Sequence, residues 1–359
     1  MRRQLRIEAV LLPTGEPGEL WIDAGRFVPG PLDGALEISG GYAVPGLVDA
    51  HAHLALASPA ADAGPDDAVR ASARAHLEAG VLIVREPGSP TRSSAGIDPT
   101  EDLPVIVTAG RFLAPPGRYF PGLARDVGDE ALVAAAEEEL RHSGAWVKVI
   151  GDFFDDTGRF STNYRLETLQ ETARLVHDSG GRITMHAMIP ESIQQAIDAG
   201  FDGIEHGSMP APGQVEAMAG AGITWTPTAL IDDILRSTAS DLLGRDGADW
   251  LRTGLEGHGE AIRRAHELGV RILAGTDAGM TPHGVVAQEI RLLHAFGLSA
   301  ATALAAGSWD ARSYLGLPGF ELGAPADLVV FPDDPREDLG VLDHPTLIVL
   351  RGRVVTPPT

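Results

Sequence analysis

The chain has 359 residues, a formal net charge of −22, 5% aromatic residues and no cysteine. That length can bury one large domain with an appendage or two medium domains, and the lack of cysteine excludes disulfides, thiolate metal sites and a cysteine nucleophile. Any metal must be held by nitrogen and oxygen ligands, and an acidic chain without clustered Lys and Arg is expected to bind small molecules, not nucleic acid.

The chain opens with "MRRQLRIEAVLLPTGEPGELWID", whose apolar run is interrupted by Glu8 and ended by Pro13, too early for a secretory signal. No stretch approaches the ~20 apolar residues that cross a bilayer, so a cytoplasmic protein without a membrane partner is expected; the sequence is compatible with a homo-oligomer. "QLRIEAVLL" and "ELWIDAGRFV" near the start, and "ADLVVF" and "TLIVLRGRVV" near the end, alternate apolar and polar residues between Gly and Pro turns. They predict antiparallel strands. Residues 1–45 and 320–359 are therefore expected to form one composite β-sandwich domain built from both termini.

Between them a unit recurs: a helix-like segment ends in Gly and a β-branched apolar run follows at once, as in "LEAGVLIVREPG", "HDSGGRITMHAM", "IDAGFDGIEHGS", "AGAGITWTPTAL" and "HELGVRILAGTD". Gly stops the helix in a left-handed conformation, and the run after it suits a strand buried on both faces. With "GLVDAHAHL", "LPVIVTAGR" and "AWVKVIGD" there are eight runs, near 47–51, 81–85, 104–108, 146–150, 182–187, 202–206, 223–226 and 271–276. Eight parallel strands alternating with helices over residues 46–319 predict an α/β fold, a (β/α)8 TIM barrel. An open doubly wound sheet would favour a Gly-rich phosphate turn after its first strand, and "DAHAHLALASPA" has none. The long segment "IDDILRSTASDLLGRDGADWLRTGLEGHGE" is expected to form helices and a covering loop.

In such a barrel the residues at the C-terminal strand ends face the active site. His51 and His53 end the first strand, Lys148 lies in the fourth, His186 and His206 end the fifth and sixth, and Asp277 follows the eighth. Side chains alternate along extended chain, so His51 and His53 project the same way and can grip one ion. Imidazole and carboxylate suit zinc and related divalent ions. The other histidines fall elsewhere: His76, His142, His177, His258, His266 and His294 in helix-like polar segments, His283 in a loop and His344 in the terminal domain.

Lys148, inside "WVKVI", faces a buried interior that lowers its pKa. A neutral amine there can take up carbon dioxide, giving a carbamate able to bridge two metals; snorkelling to the rim or pairing with Asp152 are the alternatives. Arg118 and Tyr119 after the third strand are candidates for holding a substrate carboxylate or carbonyl, against the reading of a loop in solvent. His283 is a candidate for touching substrate or orienting Asp277.

The set "HAH", strand-four lysine, histidines on strands five and six and "GTDAG" resembles the amidohydrolase superfamily, in its imidazolonepropionase-like and prolidase-like branch with a carboxylated lysine. "YAVPGLVDAHAHL", "GVLIVREPG", "HGVVAQEIRLLHAFGLSAATALAAGSWDARSYLGL" and "FELGAPADLVVFPDDPREDL" extend the resemblance over nearly the whole chain. It implies that His51, His53 and Asp277 bind a buried ion and that His186 and His206 bind an outer one. It further implies that carbamylated Lys148 and a hydroxide bridge the two, zinc being the expected metal. Asp277 would then serve as proton acceptor and donor in hydrolysis of an amide-type bond in an acyl amino acid, dipeptide or cyclic amide. A hydrolytic deaminase, with Glu191 near the strand-five histidine, or a lactonase-like hydrolase is the second reading. A non-catalytic scaffold is the third. The departures are "REPG", where an Arg-Asp pair is usual, and unfamiliar loops after strands three and four.

Overall fold

The computed structural model describes residues 4–60, 62, 64–98, 102–155 and 157–355. Both ends of the chain meet in one seven-stranded sheet. Leu5–Leu11, Glu16–Asp23, Arg26–Val28 and Leu36–Pro45 come from the start, and Leu328–Phe331, Leu347–Leu350 and Arg353–Val355 from the end. Alternation decides which face is buried: Leu5, Ile7 and Ala9 point inward against Leu328, Val330 and Val349, while Glu8 between them is exposed. The expectation of a purely antiparallel arrangement is corrected at one pair. Leu5–Leu11 runs parallel to Leu36–Pro45, with a register shift between Glu8 and Val10, because after the hairpin of Glu16–Asp23 with Arg26–Val28 the chain crosses back to the opposite edge of Leu5–Leu11.

The middle of the chain is a mixed α/β body. Leu47–Asp49, Val81–Glu86 and Val105–Thr108 pair in parallel. A second sheet joins Thr224–Thr226, Gly203–His206, Arg182–Ala187 and Trp146–Ile150 with the short strands Leu113–Ala114 and Arg125–Asp126, also in parallel. Single bridges lie between these sheets: Ser89 with Arg111, Trp225 with Ile272, and Ala52 with Ala278. Seven of the eight expected runs are strands. The eighth, 271–276, forms no strand of its own; it is held by the Trp225–Ile272 bridge and by the Ala50 amide donating to the Ala274 carbonyl at 2.9 Å. Gly275 explains part of this: a Cβ there would meet the His51 Cβ and the Thr226 side chain at 2.6 Å, so the backbones approach too closely for a regular ladder.

Helices precede the strands as the recurring unit predicts, for example Pro65–Glu78, Leu166–Asp178 and His258–Glu267, and the five stop glycines, Gly80, Gly180, Gly200, Gly222 and Gly269, all take positive φ. The expected covering segment is helix Ile231–Leu255, interrupted at Gly244 (φ 69, ψ −178). A hairpin that the sequence reading did not anticipate, Asp152–Phe154 with Phe160–Thr162, stands beyond the Lys148 strand. Among the described residues no helix is long and apolar enough to cross a membrane.

Candidate metal centre

The terminal sheet runs directly into the site. Strand Leu36–Pro45 passes through Gly46 into Leu47–Asp49, and the chain then turns out through His51 and His53. Asp49 fixes this exit. Its Oδ1 accepts from the His51 and Thr276 amides, each at 3.1 Å, and its Oδ2 accepts from the Thr276 hydroxyl at 2.6 Å. The Asp277 amide donates to the His51 carbonyl at 2.8 Å, and the His53 amide to the Ala278 carbonyl at 2.7 Å. Segments more than 220 residues apart in sequence are thereby zipped together, and Asp277 is held at φ 53. His206 (φ 67) and Thr228 (φ 49) share this left-handed conformation, so three of the six such non-glycine residues described lie at the site, where the surrounding hydrogen bonds sustain the strain.

The ring partners set the tautomers. His51 Nδ1 donates to Glu205 Oε2 at 2.7 Å, His53 Nδ1 donates to the Gly88 carbonyl at 2.8 Å, and His206 Nδ1 donates to Thr228 Oγ1 at 2.8 Å, whose own proton goes to the Pro227 carbonyl. Each ring is left with an Nε2 lone pair. His51 Nε2 and His53 Nε2 then face one another at 3.2 Å and lie 3.3 and 3.1 Å from Asp277 Oδ1, a buried oxygen with no hydrogen-bond partner. Three electron-rich atoms at such separations repel unless a cation lies among them, so this donor set fits a divalent metal ion.

His206 adjoins this trio, its ring centroid 4.9 Å from that of His51 and 4.6 Å from that of His186. Burial holds both imidazoles in the neutral form that ligates metals, His186 down to about 3 and His206 well below the ordinary range. His186 Nδ1 is buried without a partner, and its Nε2 stands 3.8 Å from Asp152 Oδ1, an equally unpartnered atom. Lys148 is 1% exposed, and burial lowers its pKa to about 8 against the opposing pull of Glu205. It does not snorkel to the rim. Asp152 instead accepts from the Met188 and Ile189 amides at 2.7 and 3.1 Å and from the Ser192 hydroxyl.

The other candidates divide. Tyr119 packs on Phe112, Phe153 and His186, with centroids 5.3, 5.4 and 5.8 Å away, and lines the cavity above the histidines. In Arg118 the Nε donates to Asn163 Oδ1 at 2.9 Å, and the Nη2 to the Phe153 and Ser161 carbonyls and the Ser161 hydroxyl, each at 2.8 Å. It tethers the unanticipated hairpin. In His283 the Nε2 donates to the Leu56 carbonyl at 2.9 Å, and the Nδ1 lies 3.3 Å from His76 Nε2. It borders a separate cavity with Glu78 and His344. His76 and His258, which fall in helix-like polar segments, are fully buried, His258 against Asp232 at 2.9 Å. Glu191 is exposed in the first turn of helix Pro190–Asp198 and does not line the metal-site cavity.

The amidohydrolase family model matches residues 42–355, which include every histidine and aspartate just described. The chain belongs to the amidohydrolase family. An uncharacterized protein of Mycobacterium tuberculosis is 38% identical over 99% of this chain and 96% of its own length. Among solved structures, a Xaa-Pro dipeptidase with methionine bound in its active site superposes with a TM-score of 0.85 at 20% identity, covering 98% of this chain and all of that one. A prolidase complexed with N-methylphosphonate-L-proline gives 0.80 at 22% identity, covering 99% of this chain and all of that one. Like the family, this amidohydrolase is a hydrolytic enzyme.

Five supporting residues, Glu205, Arg85, Thr184, Thr228 and Glu86, are not singled out by the sequence. Glu205 joins His51 to Arg85, whose Nη2 donates to Glu205 Oε1 at 2.7 Å, and the Thr184 hydroxyl donates to the same oxygen at 2.5 Å. Burial works against the Glu205 carboxylate, but Arg85 and His51 hold it well below its ordinary range. A signal existed: "VLIVRE" and "GIEH" each place an ionised residue inside an otherwise apolar strand, where an unpaired charge is costly. Thr228 gave no such signal. Glu86 resolves the "REPG" departure, its Oε1 accepting from the Leu54 amide at 2.9 Å and so pinning the turn that carries His53.

Proposed function

We propose that this amidohydrolase is a binuclear, metal-dependent hydrolase that cleaves an amide-type C–N bond in a small molecule, an acyl amino acid, dipeptide or cyclic amide being the classes in view. The observation that carries it is the convergence of the His51 and His53 Nε2 lone pairs with Asp277 Oδ1, beside His206, His186 and buried Lys148. The residues that would hold two ions, zinc by donor type, are His51, His53 and Asp277 for one, His186 and His206 for the other, and Lys148 as a carbamate between them. The parallel strands would form one (β/α)8 barrel over 46–319, bridged where the two sheets meet, with residues 1–45 and 320–359 as a composite β domain. A fold shared with a Xaa-Pro dipeptidase and a prolidase is in keeping with amide cleavage.

Divalent ions bound there would make water acidic enough to lose a proton near neutral pH and would polarise the scissile carbonyl. The protein's own part is to hold and move protons. Lys148, brought down to about 8, has a substantial neutral fraction, and its Nζ adds to carbon dioxide with loss of one proton to give the carbamate. Asp277 takes the proton of the attacking water on its carboxylate and returns it to the departing nitrogen, general base and then general acid. Glu205, Gly88 and Thr228 keep the His51, His53 and His206 rings turned with Nε2 toward the centre.

Turnover by metal-replete protein against N-acyl amino acids, dipeptides, cyclic imides and lactones tests the proposal. Amide hydrolysis that Asp277→Asn lowers by about 10²–10⁴-fold, with the fold intact, is the expected result. Exclusive lactone hydrolysis, or full amide turnover by Asp277→Asn, would overturn it.

A further inference from the structure

Apart from the neutral Tyr119 phenol, the polar side chains lining the cavity over the site are those of its floor, where His53, His186, His206 and Asp277 emerge. Its wall is aromatic and aliphatic: Phe120, Phe153, Phe154 and Phe160 account for four of the ten phenylalanines in an aromatic-poor chain. They are arranged as a box. Phe153 and Phe154 stack at 4.2 Å, Phe120 meets Phe153 edge-on at 5.0 Å, and Phe154 tilts against Phe160 at 5.7 Å. Helix Ile231–Leu255 closes the far side with Ile234, Leu235 and Leu251. Among the described residues lining this cavity there is no Lys or Arg, and the Tyr119 phenol, raised by burial, stays neutral. Arg118, the neighbouring cation, has its Nε and Nη2 turned to Asn163, Phe153 and Ser161.

We infer that this amidohydrolase acts on uncharged amides bearing an aromatic or comparably bulky apolar group, and that it discriminates against the same molecule carrying a free carboxylate. The inference rests on the hydrolase reading for the cleaved bond but not for the shape and charge of the wall. An aromatic ring gains burial and edge-to-face contact in the box. A carboxylate against the same wall loses its water and meets no cation to replace it. Directed to the floor instead, it would occupy the space among the ligand side chains that the scissile carbonyl needs. Within the amide classes proposed above, neutral cyclic amides and capped acyl derivatives therefore rank ahead of free dipeptides and N-acyl amino acids.

Two probes isolate the carboxylate: 4-ethylacetanilide and 4-acetamidobenzoate share ring and amide and differ in the para substituent. Equilibrium dialysis with the full-length, metal-replete protein should show the neutral probe bound at least about tenfold more tightly. Equal or tighter binding of the acid, or no binding of the neutral probe at millimolar concentration, would overturn the inference. Leu235→Arg, which places a cation on the half-buried part of the wall, should shift the ratio toward the acid, whereas Leu235→Gln should not; a ratio unmoved by the folded Arg variant also counts against it. Hydrolysis of the bound neutral probe is scored separately. Tight, selective binding without cleavage supports the pocket assignment and speaks only against the hydrolase reading.

Discussion

Thr228 accepts the His206 Nδ1 proton while donating its own to the Pro227 carbonyl, so one hydroxyl decides which nitrogen of His206 faces the centre. Thr228→Val keeps the shape and removes the acceptor. We predict a 10–100-fold loss of metal affinity for the weaker-bound ion, measured by titration against a competing chelator, with Thr228→Ser close to the parent protein. An unchanged affinity would mean that His206 does not ligate through Nε2. At this scale the candidate ligands are more legible in the sequence than their supports. His51, His53, His186, His206 and Asp277 are legible because strand ends and alternation fix where they point. Thr228, Glu205 and Arg118 are not, since each takes its role from partners 20 or more residues away.

Elements place those residues, and the eighth run is instructive: its apolar pattern reads as a strand, but close backbone approach at Gly275 leaves a bridged, irregular segment. Periodicity reports burial and does not report backbone separation. The hairpin Asp152–Phe154 with Phe160–Thr162 was illegible for a related reason, its "DFF" run being too short to show alternation. Gly88, in the turn after Val81–Glu86, combines φ 110 with a carbonyl that accepts from His53, and a Cβ there would meet Phe112 at 2.6 Å and the Lys148 Cγ at 3.3 Å. Gly88→Ala is therefore expected to cost about 1–3 kcal/mol of stability and to weaken metal binding together with it. Chemical denaturation and chelator competition on the same variant check both; a destabilised variant with undiminished metal affinity would separate the turn from the site.

At the scale of the whole molecule the two ends of the chain stabilise the first strand of the site. Val329 and Val44 pair across the terminal sheet, the Ser308 hydroxyl donates to the Pro45 carbonyl at 2.5 Å, and Arg312 Nε donates to the Gly46 carbonyl at 2.9 Å, at the junction from which His51 and His53 emerge. Contacts spanning more than 260 residues thus help set the position of two candidate ligands. The composite sheet was legible from alternation at both termini, whereas its one parallel pair depends on how a hairpin folds back. Metal counting on purified, full-length protein, replenished with zinc in bicarbonate buffer and freed of excess ion, tests the account most directly. It should find about two divalent ions per chain, the number its six converging side chains can share; retention of no ion after replenishment would contradict the proposed centre outright.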